Sequence, residues 1–312
     1  MKLDLHYVDK RLVELYDRDN PRGVDTDFYL ALAAELNARR IIDFGCGTGL
    51  LTCELAVEGR QIIGIDPSAA MLAVAQRKPG AERVQWIEGD SSVLGEREAD
   101  LAIMTGNVAQ VFLDDAEWEA TLLALHATLR LGGCLAFESR NPLARAWESW
   151  IREDTFEQID TPFGLMDCWL ELVDVENSKV RFAAHNVFKS TGEDVVASSE
   201  LRFRDKTEMV TSLVKAGFTI KQVYGNWHLE PFSDTRRLMI YISQRDKFNI
   251  SIAAEQSLHP APLRSWGERT VTGDCPEGVR TFQAVSGWRA CRNVKPYHCL
   301  PIDDSAKSIC QC

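Results

Sequence analysis

The residues Ile41-Ile42-Asp43-Phe44-Gly45-Cys46-Gly47-Thr48-Gly49-Leu50-Leu51 stand near the start of the chain and set its architecture. An apolar run ends in an acidic residue, three glycines follow at alternate positions, and apolar residues then recur at helical spacing. The pattern predicts a buried strand, a tight glycine turn and a helix. Because glycine has no side chain and tolerates positive φ, this turn can bring bare backbone against a ligand. The helix that follows points its N-terminus at the same place.

Short apolar segments alternate with helical ones along much of the chain, and two of the apolar segments after the turn end in Asp66 and Asp90. This alternation predicts an α/β fold with a doubly wound, mostly parallel sheet. Ligands bind such sheets outside the carboxyl ends of the strands, so the glycine turn, Asp66 and Asp90 would share one rim. The predicted strands cover residues 40–44, 61–66, 84–90, 100–104, 134–138, 218–224 and 237–242.

Residues 154–204 carry a different pattern, in which apolar and polar residues alternate with period two. The alternation is clearest over 168–173, 180–188 and 195–203, and it predicts an antiparallel β meander inserted into the α/β domain. Just before this insertion, residues 144–151 have helical spacing. We expect the meander to cover the ligand pocket with aromatic side chains, namely those of Phe163, Trp169, Phe182 and Phe188.

The periodic apolar pattern stops near Arg245, which places a domain boundary there. Residues 1–245 would form the α/β domain, whereas residues 246–312 hold five of the nine cysteines and no convincing helix or strand pattern. We expect this cysteine-containing tail to be poorly ordered. Zinc binding by its cysteines and His298 is an alternative, but a CxxC pair and the usual ligand spacing are missing. We therefore predict no metal site.

Composition limits the classes of function. The chain has 312 residues, of which 45% are hydrophobic, so it can bury a large core. Its net charge of −11 argues against a nucleic-acid surface as the main function. No apolar run has the length of a membrane span, and charges occupy N-terminal positions where a signal peptide is apolar. We therefore expect a cytoplasmic protein without nucleic-acid or membrane partners.

The spacing of the glycine turn separates two kinds of cofactor site. A dinucleotide fingerprint requires GxGxxG, whereas Gly45, Gly47 and Gly49 form GxGxG and Leu50 follows them. Together with Asp43, this turn resembles the first motif of the class I S-adenosylmethionine-dependent methyltransferases. The resemblance covers roughly residues 1–245. Later motifs of that family are matched, in the family's order, by Asp66, Gly89-Asp90, Leu131-Gly132-Gly133 and the last two predicted strands.

The resemblance implies a seven-stranded, Rossmann-like fold that binds S-adenosylmethionine. In such a site Asp66 would hold the ribose diol, Asp43 the ammonium of the amino-acid portion, and Asp90 the adenine amino group. Met71 would lie on the adenine face or, equally, in the helix core. The implied cofactor-binding residues are Asp43, Gly45, Cys46, Gly47, Gly49, Asp66, Pro67, Met71, Asp90, Ser91, Thr105 and Asn107.

The implied reaction is methyl transfer to a nitrogen or oxygen atom of a small molecule. Because this in-line displacement depends mainly on positioning, a general base is optional. The candidate catalytic residues are His228, which could instead be an ordinary loop residue, and Arg140, which could instead pair with a surface acid. Tyr16, followed by Asp17, resembles the family's segment that closes over the cofactor. The candidate substrate-binding residues are Tyr16, Gln110, Arg140, Asn141 and Trp227.

Two other functions are compatible with parts of the pattern. A catalytically inactive relative would keep the fold as a cofactor-binding or scaffolding protein. An NAD(P)-dependent oxidoreductase would need a last glycine where Leu50 stands, which disfavours it. Measuring whether the protein binds S-adenosylmethionine or NADH tests the oxidoreductase alternative. Measuring methyl transfer tests the alternative of an inactive relative.

Overall fold

The protein is described by a computed structural model that covers residues 3–246. The predictions for the cysteine-containing tail, including His298, therefore lie outside the described residues apart from Asp246. Within residues 3–246 the helices are α1 (Lys10–Asp19), α2 (Val24–Glu35), α3 (Leu50–Leu55), α4 (Ala69–Ala75), α5 (Asp115–Thr128), α6 (Arg152–Thr155) and α7 (Lys206–Lys215). The strands are β1 (Arg40–Phe44), β2 (Gln61–Asp66), β3 (Val84–Glu88), β4 (Ala99–Met104), β5 (Leu129–Arg140), β6 (Glu157–Thr161), β7 (Gly164–Glu176), β8 (Lys179–Phe188), β9 (Glu193–Asp194), β10 (Ala197–Arg202), β11 (Phe218–Tyr224) and β12 (Leu238–Arg245).

Seven strands form the main sheet in the order β3-β2-β1-β4-β5-β12-β11. The pairs among β1 to β5 are parallel, and β12 pairs antiparallel with both β5 and β11. This confirms the predicted doubly wound, mostly parallel sheet. The strand order reverses between β1 and β4, and such a switch point is where an open α/β sheet binds its ligands.

Both faces of the main sheet are buried, which explains why its strands are nearly continuous apolar runs. In β4, for example, Leu101, Ala102, Ile103 and Met104 are all fully buried, with side chains alternating between two hydrophobic clusters.

Helix ends are fixed by local side chains. Asp114 accepts hydrogen bonds from two N–H groups at the start of α5, which satisfies donors that the helix leaves unpaired.

The predicted bounds of β1, β2 and β11 are confirmed, and those of β3, β4 and β12 differ by one to three residues, whereas two further segments differ more. β5 begins at Leu129, directly after α5, so it is longer than the apolar run suggests. The segment predicted as helical over 144–151 consists of two short 3-10 turns instead. Arg145, between those turns, adopts a left-handed conformation with φ 46°, which interrupts a regular helix.

The predicted insertion is a second, antiparallel sheet between β5 and α7, with the order β10-β8-β7-β6 and β9 paired to β8. Strand β6 was not expected from the sequence. The sheet has its own hydrophobic cluster, in which Trp150 packs on Phe182 with ring centroids 4.7 Å apart and Trp147 packs on Phe203 at the same distance. The insertion therefore holds together partly through its own core.

The glycine turn after β1 is fastened to the end of β2. The backbone N–H groups of Gly45 and Cys46 both donate to the carbonyl oxygen of Ile65, at 2.8 and 3.0 Å. Gly45, Gly47 and Gly49 all have positive φ, between 53° and 78°. At Gly49 a Cβ atom would lie 2.5 Å from Cη2 of Trp86. Glycine is thus required there for both conformation and space.

No helix in the described part of the chain is long and apolar enough to cross a membrane.

We expect Gly49→Ala to destabilise the protein more than the matched control Gly59→Ala. Gly59 also has positive φ, but a Cβ there would meet nothing within 4 Å. The control should lose about 1–2 kcal/mol of unfolding free energy from the left-handed conformation, and Gly49→Ala about 1–3 kcal/mol more from overlap with Trp86. Urea denaturation measures both losses. Equal losses would contradict the close contact at Gly49.

Candidate functional site

A cavity of about 430 Å³ opens at the carboxyl ends of β1, β2 and β4. Its size lies within the usual range of small-molecule pockets. Four parts of the chain form its wall: the N-terminal segment, the glycine turn with the end of β2, the connection from β4 to α5, and β10 of the insertion. The lining residues are Leu3, Asp4, Tyr7, Tyr16, Gly45, Gly47, Asp66, Pro67, Thr105, Gly106, Val108, Val111, Leu113, Asp114, Glu117, Ser198, Ser199, Glu200 and Leu201.

Asp66 ends β2 and presents its carboxylate to the cavity. One oxygen accepts a hydrogen bond from the N–H of Gly47 and the other from the N–H of Ser68, both at 2.8 Å. Burial, with only 8% of the residue exposed, raises the pKa of the Asp66 carboxyl. Each carboxylate oxygen can accept more than one hydrogen bond, so Asp66 can still receive two neighbouring hydroxyl groups of a ligand.

Asp43 lies buried in β1 just before the glycine turn. Its Oδ2 atom accepts a hydrogen bond of 2.6 Å from the hydroxyl of Thr52, whereas Oδ1 has no hydrogen-bond partner within residues 3–246. Burial raises the pKa of Asp43 to about 7. A buried acceptor without a partner is rare in proteins, and a carboxylate oxygen in this state suits an ammonium group or a water molecule.

The N-terminal segment is held against the glycine turn by side-chain contacts. Asp17 accepts a hydrogen bond from the Thr48 hydroxyl and forms an ion pair with Lys78, three residues after the end of α4. The Ser68 hydroxyl donates to the carbonyl oxygen of Tyr7. Through these contacts the rings of Tyr7 and Tyr16, whose centroids are 6.4 Å apart, form part of the cavity wall.

A buried chain of hydrogen bonds supports the opposite side of the cavity. Glu138, at the end of β5, accepts from the N–H of Asn107 at 2.8 Å with one oxygen and from the Tyr29 hydroxyl with the other. Asn107 adopts a left-handed conformation directly after Thr105 and Gly106, which line the cavity. Burial raises the pKa of Glu138 to about 7. Glu138 thus fixes the turn after β4.

The sequence prediction missed Glu138, although the signal was available. Glu138 is an acid at the end of a predicted strand, the same pattern that singled out Asp66. The lining residues Tyr7 and Glu200 were also missed, and nothing in their local sequence marks them.

The structure brings together half of the predicted cofactor set. Gly45, Gly47, Asp66, Pro67 and Thr105 line the cavity, and Asp43 lies beneath the turn. The remaining predicted residues are not among the lining residues: Cys46, Gly49, Met71, Asp90, Ser91 and Asn107.

Three of these residues have clear alternative surroundings. Met71 is 1% exposed within α4, in line with its helix-core interpretation. Asp90 is solvent-exposed, and its carboxylate accepts a 2.9 Å hydrogen bond from the N–H of Ser92. The Ser91 hydroxyl receives a hydrogen bond of 3.2 Å from Thr121. The adenine contacts of all three therefore stay predictions.

Of the predicted substrate residues, Tyr16 alone is among the cavity-lining residues described. Arg140 is 3% exposed, donates to the side-chain oxygen of Gln110 at 2.9 Å, and lies over the ring of Trp150 at 5.6 Å. Asn141 donates through its amide to the carbonyl oxygens of residues 234 and 236. Its amide therefore fastens the end of β5 to the loop before β12.

The other two candidates lie on the loop between β11 and β12. Trp227 packs against Phe28 and Tyr29, with ring centroids 5.4 and 5.9 Å apart. His228 is exposed to solvent and is not a lining residue. Neither His228 nor Arg140 is among the described residues that line the cavity, so their catalytic roles stay predictions.

The insertion does cover the cavity, but with different residues from those expected. Residues 198–201 of β10 line it. Phe182 is instead buried in the insertion's own cluster and Phe188 in a cluster shared with α1, and Trp169 stacks on His185 at 4.5 Å. Phe163 is 37% exposed. The roof is therefore formed by the edge strand β10 and not by these aromatic side chains.

No three His, Cys, Asp or Glu side chains among residues 3–246 are grouped closely enough to hold a metal ion.

Known proteins match the part of the chain that forms this site. Residues 41–133 match the family described as a methyltransferase domain. A protein of Geobacillus sp. (strain WCH70) named as a methyltransferase is 34% identical over 104 residues, which cover 32% of this chain and 42% of that protein. Malonyl-(acyl-carrier protein) O-methyltransferase of Pectobacterium atrosepticum is 32% identical over 124 residues, covering 38% of this chain and 47% of that enzyme. The chain thus spans less than half the length of these two relatives.

A similar fold occurs in solved structures. The sugar N-methyltransferase of a Streptoalloteichus species superimposes with a TM-score of 0.59 over 75% of this chain and 92% of that one, at 18% sequence identity. The doubly wound sheet, with a glycine turn after β1 and an acid at the end of β2, has the architecture of a methyltransferase domain. Residues 41–133 match that domain family, and solved structures of S-adenosylmethionine-dependent methyltransferases share the fold, so S-adenosylmethionine is the cofactor to compare with this site.

The residues present fit this cofactor. The two free acceptor positions on Asp66 match a ribose diol, as in dinucleotide sites, and the unpartnered Oδ1 of Asp43 matches an ammonium group. A Cβ on Gly47 would meet no atom closer than 3.9 Å, that of Tyr16, so the backbone of the turn is open to a ligand.

We expect Asp66→Ala to weaken binding of S-adenosylmethionine by about 1.5–3 kcal/mol, the range for hydrogen bonds to a charged group. Calorimetric titration measures the change. Glu96→Ala, an exposed acid away from the cavity, is the matched control and should bind normally. Unchanged affinity in Asp66→Ala would contradict the ribose role.

A pH series tests the burial of Glu138. Its folded pKa of about 7 exceeds its ordinary value of 4.5. Between these values the folded protein retains a proton that the unfolded chain releases, so unfolding free energy falls as pH rises. From pH 5 to pH 8 the wild type should lose up to about 3 kcal/mol more than Glu138→Gln, which cannot ionise. Urea denaturation at both pH values gives the difference. Equal losses would mean that Glu138 titrates normally.

Proposed function

We propose that this protein transfers the methyl group of S-adenosylmethionine to a nitrogen or oxygen atom of a small molecule bound in the cavity. The observation that carries the proposal is that two kinds of residues line the same cavity. One side consists of the cofactor-type residues Gly45, Gly47 and Asp66, and the other of β10 and the turn after β4. A cofactor and an acceptor could therefore meet there, shielded by the N-terminal segment.

Each part of the wall has a distinct task in this proposal. Asp66 holds the ribose hydroxyl groups, and Asp43 the ammonium group, directly or through water. The backbone of Gly45 and Gly47 lies against the amino-acid portion. When bound, the cofactor supplies an electrophilic methyl group on a positively charged sulfur. Thr105 and Gly106, whose turn Glu138 fixes, position the acceptor, and in-line displacement gains most from such positioning.

A small acceptor is favoured over a macromolecule by several properties of the chain. The cavity is of small-molecule size, and the net charge of −11 disfavours a polyanion such as nucleic acid. Of the related proteins, one is named as an O-methyltransferase and another as a sugar N-methyltransferase. Both acceptor atoms therefore stay open in this proposal.

The test uses the full chain with radiolabelled S-adenosylmethionine and a deproteinised extract of small metabolites. We expect label to enter the small-molecule fraction, and Asp66→Ala to reduce the rate at limiting cofactor. Calorimetry with S-adenosylmethionine runs beside it. Binding without any transfer would support the alternative of an inactive, cofactor-binding relative. Binding of NADH but not of S-adenosylmethionine would contradict the proposal as a whole.

A further inference from the structure

Acidic side chains line the cavity from several directions. Besides Asp66, the wall contains Asp4 of the N-terminal segment, Asp114 and Glu117 at the start of α5, and Glu200 of β10. Among the lining residues described, none is a lysine, arginine or histidine. Asp4 and Glu200 are half-buried, whereas Asp114 and Glu117 are exposed. The charged side chains among the described lining residues are therefore all carboxylates.

We propose that the acceptor is an amine that enters the cavity as a cation; this proposal rests on the proposed methyltransferase function. Carboxylates attract a cationic ligand, and a cleft lined by one sign of charge concentrates that attraction. The rings of Tyr7 and Tyr16 add two aromatic faces to the wall, and aromatic faces bind ammonium groups. The site thus combines negative charge with aromatic surface.

The residues nearest the roof are fixed in place by the fold. The Asp4 carboxylate accepts hydrogen bonds from the N–H of His6, at 2.8 Å, and from the hydroxyl of Ser199 on β10. This contact places Asp4 beside the strand that carries Glu200. Asp114 is held as the N-cap of α5. The negative wall is therefore built into the fold on both sides of the cavity.

An anionic acceptor would be repelled by the carboxylates that line the cavity. Like charges brought together cost binding free energy. Arg140, the sequence-based candidate for binding a carboxylate or phosphate, is buried and is not among the described residues that line the cavity. The structure thus offers carboxylates, rather than a guanidinium, at the place where the acceptor must lie.

The chemistry balances for an amine. The ammonium form of the acceptor first releases one proton to a wall carboxylate or to solvent. The nitrogen lone pair then forms the new N–C bond while the S–C bond of the methyl donor breaks. The positive charge passes from sulfur to nitrogen, and the donor leaves as a neutral thioether. Because the methylated product is again a cation, the wall carboxylates remain close to positive charge before and after transfer.

The experiment compares benzylamine, benzyl alcohol and phenylacetate, and the matching cyclohexylmethyl compounds, as acceptors of labelled methyl groups, because both of these amines are cations at neutral pH. We expect amines to be methylated in preference to the alcohols and carboxylates, with a KM that rises with salt. Glu200→Gln combined with Asp114→Asn, which keeps the helix cap, should raise the amine KM roughly threefold or more, as for partly solvated charges. Glu176→Gln, an exposed acid at the end of β7, is the control and should change nothing.

A separate measurement distinguishes the two proposals. S-adenosylhomocysteine has a neutral sulfur, so its calorimetric affinity should change less than about twofold in the double variant. If it binds but label enters alcohols, carboxylates or no amine at all, the amine proposal is overturned. An unchanged amine KM in the double variant also overturns it. Failure to bind S-adenosylhomocysteine or S-adenosylmethionine would contradict the proposed function instead.

Discussion

The carboxylate of Asp66 joins the parts of the chain on which the site depends. It receives the N–H of Gly47 from the glycine turn and the N–H of Ser68 from the start of α4. The Ser68 hydroxyl in turn donates to the backbone of Tyr7. One buried acid thus sets the turn, the helix and the N-terminal segment in a fixed arrangement. Pre-positioned groups bind a ligand without a further entropy cost, which is the advantage of this network.

The site retains buried acids that an ordinary core would avoid. Asp43 and Glu138 are both fully buried, and neither faces a positively charged side chain in its hydrogen bonds. Burial disfavours the charged form of a carboxyl group, so both acids reduce stability near neutral pH. The sheet offsets this cost because its central strands are buried on both faces. Perturbed acids concentrated at the rim of a sheet are typical of functional sites.

Local sequence predicted the glycine turn and the strand-end acid that line the cavity, although more than half of the predicted cofactor residues are not among its lining residues. The spacing of Gly45, Gly47 and Gly49 and the acid after β2 predicted a strand, a turn and a binding rim, because each depends on neighbours in the chain. The position of a residue at the carboxyl end of a strand did not predict whether its side chain points into the cavity. Arg140 ends β5 and Asn141 follows it, yet their side chains contact Gln110 and the loop before β12. Only tertiary packing determines that choice.

The acceptor side depended on long-range pairing, which the sequence does not encode locally. Period-two alternation predicted the insertion, but not which of its strands would lie over the cavity. The contact between Tyr29 of α2 and Glu138 of β5 joins residues more than one hundred positions apart. The pattern of strand-end acids can single out Glu138 as a candidate site residue. The same pattern does not predict which residue binds it.

The position of β10 has a consequence for substitutions in the roof of the cavity. The roof strand belongs to an insertion that enters the chain after β5 and leaves before α7, whereas Asp43, Asp66 and the glycine turn all precede it. Substitutions in the roof can therefore be confined to one contiguous segment, whereas the N-terminal segment and the connection after β4 form the rest of the wall. The insertion also has its own hydrophobic core, so substitutions on its inner edge need not unfold it. The shape of the roof can thus change separately from the glycine turn and Asp66 on the opposite wall.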